Sequence, residues 1–386
     1  MKYTRHLEAN LLSHFSNYKQ AIVLLGARQT GKTTLLRRLF PDALYILLDN
    51  EQTKNVLETY DISTYKQAIG RTKQLIIDEL HLLHDPGRAV KIIYDQVPGL
   101  QLIVTGSSAL HIKNNSTESM AGRKIEYNLF PLTFSEYLVQ KNIETVLNHS
   151  VLTNVLEQTT PPKHLFSPSG LLEQVLLYGL YPDVLNLPEP RQYLLNLAES
   201  AIFKDIVELN LIDNRSKAKS LLELLAYQIG NLCNYSEIGA RLSLDRRTVE
   251  RYIDIFEQSF IVFRIFPYAN NKRNEIGKTP KIYFHDLGLR NALIDNYDSI
   301  TVRSDAGALF ENFIIAELKK NISYQQSDFS LNYWRTNNGA EVDIVLSNNH
   351  TVIGAEVKMQ SGSVSTAFTN RYPDAKTHVI TRHTFY

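Results

Sequence analysis

Short apolar runs alternate with amphipathic stretches along the first third of the chain. The runs that we interpret as strands are Ala21–Leu25, Ala43–Leu48, Gln74–Ile77, Gln101–Thr105 and Lys124–Asn128. Between them, Leu35–Leu39 and Val90–Tyr94 lie in stretches with helical spacing of the apolar residues. Strands that alternate with helices favour a parallel sheet with helices on both faces. We therefore predict that the chain begins with an α/β domain.

The pattern changes twice further along the chain. After Phe134 the spacing becomes helical, and Gln158–Gly170, which holds three prolines, is predicted to be a loop. Helical spacing dominates Leu171–Leu232, and a polar stretch at Phe266–Pro280 marks a second boundary. Strand-like runs then return at Leu331–Arg335, Glu341–Leu346, Val352–Lys358 and His378–Thr381. These changes predict three domains with boundaries near residues 157 and 268.

Composition limits the class of protein. Hydrophobic residues make up 44% and charged residues 21%, a balance typical of globular proteins. The formal net charge is +1, so a nucleic-acid surface would require a local basic patch. A single cysteine, Cys233, excludes an internal disulfide. No apolar run approaches the ~20 residues of a membrane helix, and Met1–Asn10 lacks a signal-peptide core. We expect a cytoplasmic protein with no membrane partner.

A phosphate-binding loop follows the first predicted strand. The eight residues that match the pattern G-x-x-x-x-G-K-[ST] are Gly26, Ala27, Arg28, Gln29, Thr30, Gly31, Lys32 and Thr33, and Thr34 follows them. In such a loop, backbone N–H groups and the start of the next helix hold phosphate oxygens. Lys32 is expected to contact the β- and γ-phosphates and Thr33 to bind Mg²⁺. The sequence therefore predicts a site for ATP and Mg²⁺.

Two carboxylates end the strand that begins at Gln74. Asp78 is expected to bind the Mg²⁺ shell, and Glu79 to polarise the attacking water. The next strand ends at Thr105, Gly106 and Ser107. If this strand lies beside the carboxylate strand, Thr105 or Ser107 could contact the γ-phosphate or its water; the alternative is a tight turn capped by Ser107.

The first part of the chain resembles the AAA+ superfamily, specifically prokaryotic P-loop ATPases of the AAA_14 type. The resemblance covers about residues 15–140 and rests on the GARQ-x-GKTT loop, the Asp78-Glu79 strand, the T-G-S-S segment at Thr105, and Gly122-Arg123 followed by L-x-P-L-x-F-x-E. It implies that Thr105 or Ser107 is the sensor residue. It also implies that Arg123 is an arginine finger for a neighbouring subunit in a homo-oligomer, although Arg123 alone would be interpreted as a surface residue.

Tyr235–Ile253 has the pattern of a helix-turn-helix. We expect Ser236 to cap the first helix and Ala240 and Leu242 to face inward. Asp245 is expected near the start of the second helix. The second helix carries Arg246, Arg247 and Arg251 opposite Val249, Ile253 and Phe256, and Ile261–Phe266 would form the strand of a wing. Such a helix can contact DNA in the major groove. The alternative is a packing module, since Asp245, Glu250 and Asp254 dilute the positive charge.

Carboxylates and one lysine recur in the last third of the chain. Asp343 lies on one predicted strand, while Glu356 and Lys358 share a face of the next, because side chains alternate along a strand. Asp343 and Glu356 could share a divalent metal, Mg²⁺ or Mn²⁺, that activates a water. Lys358 would orient that water, and Glu311, on a predicted helix, could complete the metal shell.

The spacing Asp-x(12)-Glu-x-Lys resembles the core of PD-(D/E)XK nucleases. The block from about residue 200 to the end resembles the DUF4143 domain. The matching segments are Lys281–Leu289, Phe310–Asn312, Trp334–Thr336, Gly339–Asp343 and Glu356–Lys358. Two alternatives stay open: a metal-dependent nuclease site, or a nuclease fold that has lost its activity.

The sequence thus predicts an α/β protein with a P-loop AAA+ ATPase core (1–157), a helical lid with a winged helix-turn-helix (158–268) and a PD-(D/E)XK nuclease-like domain (269–386). We predict an ATPase coupled to nucleic-acid binding or processing. The alternative is a regulatory ATPase switch whose last domain is a catalytically inactive protein-interaction module.

Overall fold

The computed structural model describes residues 3–106, 120–143, 147, 149–157, 169–208, 212–269 and 279–386, without the side chains of residues 169 and 200–208. The chain forms two compact units, Met1–Phe130 with Gln258–Phe260, and Pro131–Glu257 with Ile261–Tyr386. The second unit begins earlier than the first predicted domain boundary. The division into three domains stays a prediction.

The first unit contains a five-stranded sheet with helices between its strands. Its elements are α1 (Glu8–Asn17), β1 (Ala21–Leu25), α2 (Lys32–Leu39), β2 (Leu44–Leu47), α3 (Glu51–Glu58), α4 (Ile62–Ile69), β3 (Gln74–Asp78), a 3₁₀ turn (Leu80–Leu82), α5 (Pro86–Gln96), β4 (Gln101–Gly106) and β5 (Lys124–Asn128). The strand order is β2-β3-β4-β1-β5, and every pairing is parallel.

The order of the strands explains their burial. Every residue of β1 is buried, as are all but the first residues of β3 and β4, whereas the edge strand β2 is partly exposed. A strand covered on both faces needs apolar residues at successive positions, which is the pattern AIVLL of β1. The prediction of a parallel α/β sheet is confirmed, and β1 and β5 have the predicted bounds.

The second unit combines helices with an antiparallel two-stranded sheet and a mixed four-stranded sheet. Its elements are α6 (Phe134–Gln140), α7 (Val151–Glu157), α8 (Ser169–Tyr178), a 3₁₀ turn (Val184–Asn186), α9 (Arg191–Glu208), α10 (Arg215–Tyr227), α11 (Tyr235–Leu242), α12 (Arg246–Gln258), β6 (Val262–Ile265), β7 (Lys281–Phe284), α13 (Leu287–Leu293), α14 (Ala306–Tyr324), β8 (Ser330–Arg335), β9 (Glu341–Ser347), β10 (Val352–Lys358), α15 (Thr366–Arg371) and β11 (Lys376–Thr381). Most of the predicted loop at 158–170 and of the polar boundary at 266–280 lies outside the described residues.

The C-terminal sheet has the order β11-β10-β9-β8. β8, β9 and β10 pair antiparallel, and β11 pairs parallel with β10. Trp334, Val345 and Phe368 pack in its core with α15. Gly354 on β10 is required there, because a Cβ would lie 2.4 Å from the Phe368 ring.

The helix-turn-helix pattern corresponds to α11 and α12, with two corrections. The cap of α11 is Asn234, whose side chain accepts the N–H groups of Ser236 and Glu237, so Ser236 is not the cap. Ala240 is exposed, and Gly239 is buried instead, because the backbone carbonyl of Leu244 lies 2.6 Å from where its Cβ would be. As predicted, Asp245 caps α12, accepting the N–H of Thr248 at 2.9 Å.

The buried face of α12 comprises Val249, Tyr252, Ile253, Ile255 and Phe256. β6 pairs antiparallel with β7, at the position predicted for a wing strand. In the part of the chain that the structure describes, no helix combines the length and the apolar character that crossing a membrane requires.

Candidate functional site

The loop between β1 and α2 is shaped by two glycines. A Cβ on Gly26 would lie 2.2 Å from the carbonyl oxygen of Leu129, so no larger residue fits there. Gly31 has a φ of 92°, in the left-handed region that favours glycine, and α2 begins directly after it. The loop therefore delivers the chain to the start of a helix, where backbone N–H groups are available to an anion.

Lys32 is buried inside this loop. Its ammonium group donates hydrogen bonds to the carbonyl oxygens of Gly26 at 2.9 Å and Ala27 at 3.0 Å. The Thr30 hydroxyl donates to the same Ala27 oxygen at 2.9 Å. A buried ammonium held by neutral carbonyls can exchange them for charged phosphate oxygens, which are stronger acceptors.

Among the other predicted nucleotide-binding residues, Arg28 is half-buried, while Gln29 and Thr34 are exposed. Gln29 has a φ of 61°. The Thr30 carbonyl accepts a hydrogen bond at 2.9 Å from Arg5, a buried residue that sequence analysis did not identify. The second nitrogen of Arg5 donates to the Phe130 carbonyl at 2.6 Å. Arg5 thus ties the loop to the segment after β5.

Asp78, at the end of β3, accepts hydrogen bonds from three hydroxyl groups. Thr33 donates to its Oδ2 at 2.6 Å, and Tyr45 on β2 donates to the same oxygen. Thr105 donates to Oδ1. Burial, and next the hydrogen bond to Asp78, raise the pKa of Tyr45 above its ordinary value. Sequence analysis missed Tyr45, because an aromatic residue in a strand carries no motif.

Glu79 directly follows β3 in the left-handed backbone region, with φ 60° and ψ 45°. Its N–H donates to the Thr105 hydroxyl at 3.0 Å. One of its carboxylate oxygens lies 3.2 Å from Nδ1 of His81, a buried residue that sequence analysis did not single out. The condition stated for Thr105 is met, because β4 lies beside β3. Ser107, the other candidate sensor, lies outside the described residues.

Arg123 lies at the end of the sheet where the strands begin, and the P-loop lies at the end where β1 finishes. Arg123 precedes β5, whose first residue pairs with Ala21 at the start of β1, whereas the P-loop follows the end of β1. Its guanidinium forms hydrogen bonds to both carboxylate oxygens of Asp95, at 2.8 and 3.1 Å. The structure thus does not bring Arg123 together with Lys32, and a role in ATP hydrolysis would require a second subunit.

The predicted C-terminal residues meet in part. Lys358 lies 2.7 Å from Glu356 and 3.5 Å from Oδ2 of Asp343, measured from its ammonium nitrogen. The same Asp343 oxygen accepts the N–H of Val357 at 2.9 Å. Burial, and next the negative charge of Asp343, raise the pKa of Glu356 to about 7. This is a compact group of two carboxylates and one ammonium.

Glu311 is engaged elsewhere. Its carboxylate accepts a hydrogen bond from Tyr283 at 2.6 Å and lies 3.6 Å from the buried ammonium of Lys281, which also pairs with Glu341 at 2.5 Å. Within the described ranges, no group of three or more His, Cys, Asp or Glu residues has an arrangement that could hold a metal ion. The described residues thus do not show Glu311, Asp343 and Glu356 as one metal shell, and that shell stays a prediction. Lys281 supplies a positive charge beside Glu311.

Three family models match consecutive parts of the chain. Residues 18–138 match a family described as AAA domain, residues 169–299 match a domain of unknown function (DUF8612), and residues 306–384 match a domain of unknown function (DUF4143). The predicted DUF4143 resemblance from about residue 200 was too long. The helical block, α11 and α12 included, belongs to a separate match.

Similar proteins are found in archaea and bacteria. An uncharacterized protein of Methanocaldococcus jannaschii is 27% identical over 355 residues, covering 85% of this chain and 73% of that protein. An uncharacterized protein of Haemophilus influenzae is 23% identical over 293 residues, covering 70% and 68%.

Among solved structures, the Walker-type ATPase PABY2304 of Pyrococcus abyssi aligns with a TM-score of 0.49 at 16% identity, covering 76% of this chain and 96% of that one. The match of residues 18–138 to the AAA domain and the geometry of the P-loop support an ATP-binding ATPase.

Proposed function

We propose that this chain, whose residues 18–138 form an ATP-binding domain of the AAA ATPase type, hydrolyses ATP at its P-loop. The observation that carries the proposal is the hydrogen bond of 2.6 Å between Thr33 and Asp78. It joins the residue after the P-loop lysine to the carboxylate of β3, which are the two groups that hold Mg²⁺ in P-loop ATPases.

The residues fit the chemistry of a bound metal–nucleotide. Thr33 and Asp78 supply oxygen atoms, which Mg²⁺ prefers. Bound Mg²⁺ would neutralise charge on the β- and γ-phosphates. Lys32 provides the positive charge inside the loop. Glu79 accepts a proton from the attacking water or orients it, and the N–H bond to Thr105 fixes its backbone.

ATP turnover tests this proposal directly. Phosphate release by the wild type should depend on Mg²⁺, and Lys32→Ala should reduce it by orders of magnitude, because the phosphates lose their charged donor. Lys91→Ala on α5, an exposed lysine of the same unit, is the matched control and should keep the wild-type rate. Equal turnover in all three proteins would place the activity elsewhere or in a contaminant.

A coupling to nucleic acid is the further part of the proposal, and the exposed start of α12 supports it. Arg246 and Arg247 are both exposed, while the opposite face of the helix is buried. Arg251 is exposed but forms an ion pair with Asp213, so it contributes less free charge. Two arginines at the first turn of a helix can reach phosphates or base edges in a major groove.

Duplex and single-stranded DNA should then raise the ATPase rate. Replacing both Arg246 and Arg247 with alanine should remove this effect and weaken DNA binding, while Arg371→Ala on α15, an exposed arginine of the same unit, should not. A rate that DNA does not change would favour the alternative, a regulatory ATPase switch whose last domain binds a protein.

The C-terminal pair of Asp343 and Glu356 is proposed as a two-carboxylate site for Mg²⁺ or Mn²⁺, with Lys358 beside it. The closeness of the two carboxylates supports it: burial, and next the charge of Asp343, raise the pKa of Glu356 even beside Lys358, and a divalent cation would relieve that repulsion. Nicking of plasmid DNA in a series of divalent metals tests cleavage. Nicking that Asp343→Ala and Lys358→Ala both abolish would support a nuclease, and no nicking would favour an inactive module.

A further inference from the structure

Both hydrogen bonds at Oδ2 of Asp78 come from hydroxyl groups. Thr33, at the start of α2, donates at 2.6 Å, and Tyr45, on the neighbouring strand β2, donates as well. An oxygen of a carboxylate has about two lone-pair positions. Thr33 and Tyr45 therefore occupy the acceptor capacity of this oxygen, while Thr105 binds the other oxygen.

Tyr45 is held in place from two sides. β2 is the edge strand next to β3, with Tyr45 opposite Ile76 and Leu47 opposite Asp78. The guanidinium of Arg37 on α2 lies over its ring, 4.1 Å from the centroid, in cation–π geometry. The ring is half-buried, on the partly exposed edge strand of the sheet.

A hydrated magnesium ion held by Thr33 and Asp78 would need the same oxygen. Mg²⁺ gives up its waters reluctantly and usually keeps several of them in protein sites. Those waters would be strong donors, and the Asp78 carboxylate beside Thr33 would be an acceptor for them. With Thr33 retained, the position that Tyr45 fills on Oδ2 is the one that such a water, or the ion itself, would need.

We propose that Tyr45 is a positioning residue that gates metal loading: its hydroxyl takes the place of a magnesium-bound water on Asp78 and leaves when Mg²⁺ arrives with the nucleotide. This inference rests on the proposed ATP site. It adds a link to α2, because the ring that would leave Asp78 packs against the Arg37 guanidinium. The free energy needed to break the Tyr45–Asp78 hydrogen bond therefore lowers the affinity for the metal, and not for the nucleotide alone.

The test measures the affinity of a fluorescent ATP analogue in Mg²⁺ and in EDTA. The ratio of the two affinities reports the metal's contribution. In Tyr45→Phe this ratio should rise about tenfold, since no hydrogen bond to a charged group has to be broken. The affinity in EDTA should stay near the wild-type value. Tyr65→Phe is the matched control, because the buried Tyr65 hydroxyl donates to the Leu57 carbonyl in the same unit and does not contact Asp78.

A second variant guards against a change in folding. Arg37→Gln removes the cation over the ring and should raise the ratio in the same direction by a smaller factor. An unchanged or lower ratio in Tyr45→Phe, with wild-type binding intact, would overturn the gate and leave the ATP site standing. A wild type that binds no nucleotide in either buffer would overturn the proposed function and the gate together.

Discussion

The Thr105 hydroxyl donates a hydrogen bond to Oδ1 of Asp78, and its Oγ1 accepts a hydrogen bond from the backbone N–H of Glu79 at 3.0 Å. One side chain of β4 therefore fixes both acidic residues at the end of β3. These two hydrogen bonds are the physical link between the predicted sensor residue and the two carboxylates. A change at the γ-phosphate that shifts Asp78 or Glu79 would therefore act on β4 through Thr105.

Replacing Thr105 with valine keeps the branched shape and deletes both hydrogen bonds. We expect turnover to fall about tenfold or more, because a hydrogen bond to a charged group is lost and the Glu79 N–H loses its acceptor. ATP affinity should change little, because Thr105 is not among the loop residues. Steady-state kinetics with a separate binding measurement tests this split. Thr64→Val, at an exposed hydroxyl in α4, is the control; an equal loss in both variants would contradict the sensor role.

A neighbouring subunit is required if Arg123 acts on ATP, because Arg123 and the P-loop lie at opposite ends of the strands in its own sheet. Arg123→Ala and Lys32→Ala subunits should each be inactive alone. Mixed together, they should regain part of the activity, because an intact P-loop can meet an intact arginine across an interface. Loss of the exposed Asp95 ion pair should hardly affect folding. Full activity of Arg123→Ala alone would show that it is a surface residue.

The sequence predicted the first unit well because its signals are local. An apolar strand, a glycine-rich loop and a helix start follow one another at Ala21–Leu39, and the strand before Asp78 is equally continuous. Contacts between distant segments left no such signal. Tyr45 reaches Asp78 only because β2 and β3 become neighbours, and Arg5 reaches the P-loop from α1's leading segment.

The same limit applies at the C-terminal site. The spacing of Asp343, Glu356 and Lys358 follows from two adjacent strands, and these residues do meet. Glu311 lies on a helix whose orientation no spacing rule gives. It faces Lys281, to which the sequence analysis gave no role at this site. The contacts of a buried charged side chain depend on its ion-pair partner, and the sequence does not identify that partner.

Metal binding at Asp343 and Glu356 should raise the thermal stability of the protein. A ligand that binds only the folded state stabilises it by about 2.7 kcal/mol at a hundredfold excess over Kd. We expect Mn²⁺ to raise the melting temperature in a Lys32→Ala background, where the ATP site contributes less. Asp343→Ala should abolish the rise, and Lys358→Ala should preserve or enlarge it by removing a competing charge.

Glu311→Gln tests whether Glu311 belongs to the site, since its carboxylate binds Tyr283 and lies beside Lys281, while the charge of Asp343 acts on it only at longer range. The metal-dependent rise should persist in this variant even if its starting stability is lower. If neither Mn²⁺ nor Mg²⁺ changes the melting temperature of the wild type, the proposed metal site is wrong and the inactive module is favoured.

His285 predicts a pH dependence of folding. Burial, and next the charges of Lys319 and Lys320, hold its pKa well below the ordinary value. The folded state therefore keeps His285 neutral while the unfolded state binds a proton below about pH 6.5. Stability due to this group is complete above that pH and falls by about 1.4 kcal/mol per pH unit below it.

Chemical denaturation between pH 7.5 and 5 measures this effect. His285→Asn removes the titrating ring, so the difference in unfolding free energy between wild type and variant should shrink as the pH falls. Glu317 and Asp286, whose pKa values burial raises, act in the opposite direction in both proteins and cancel in the comparison. A difference that stays constant over this range would refute the assignment.

The central claim is that ATP is bound by the P-loop and hydrolysed with the help of Glu79. Glu79→Gln tests it most directly, because the amide keeps the size of the side chain and loses only the basic carboxylate. ATP binding and ATP turnover should be measured on the same preparation. We predict wild-type affinity with turnover reduced about 100-fold or more. Wild-type turnover in Glu79→Gln would contradict the account, because the catalytic base would then have to be another group.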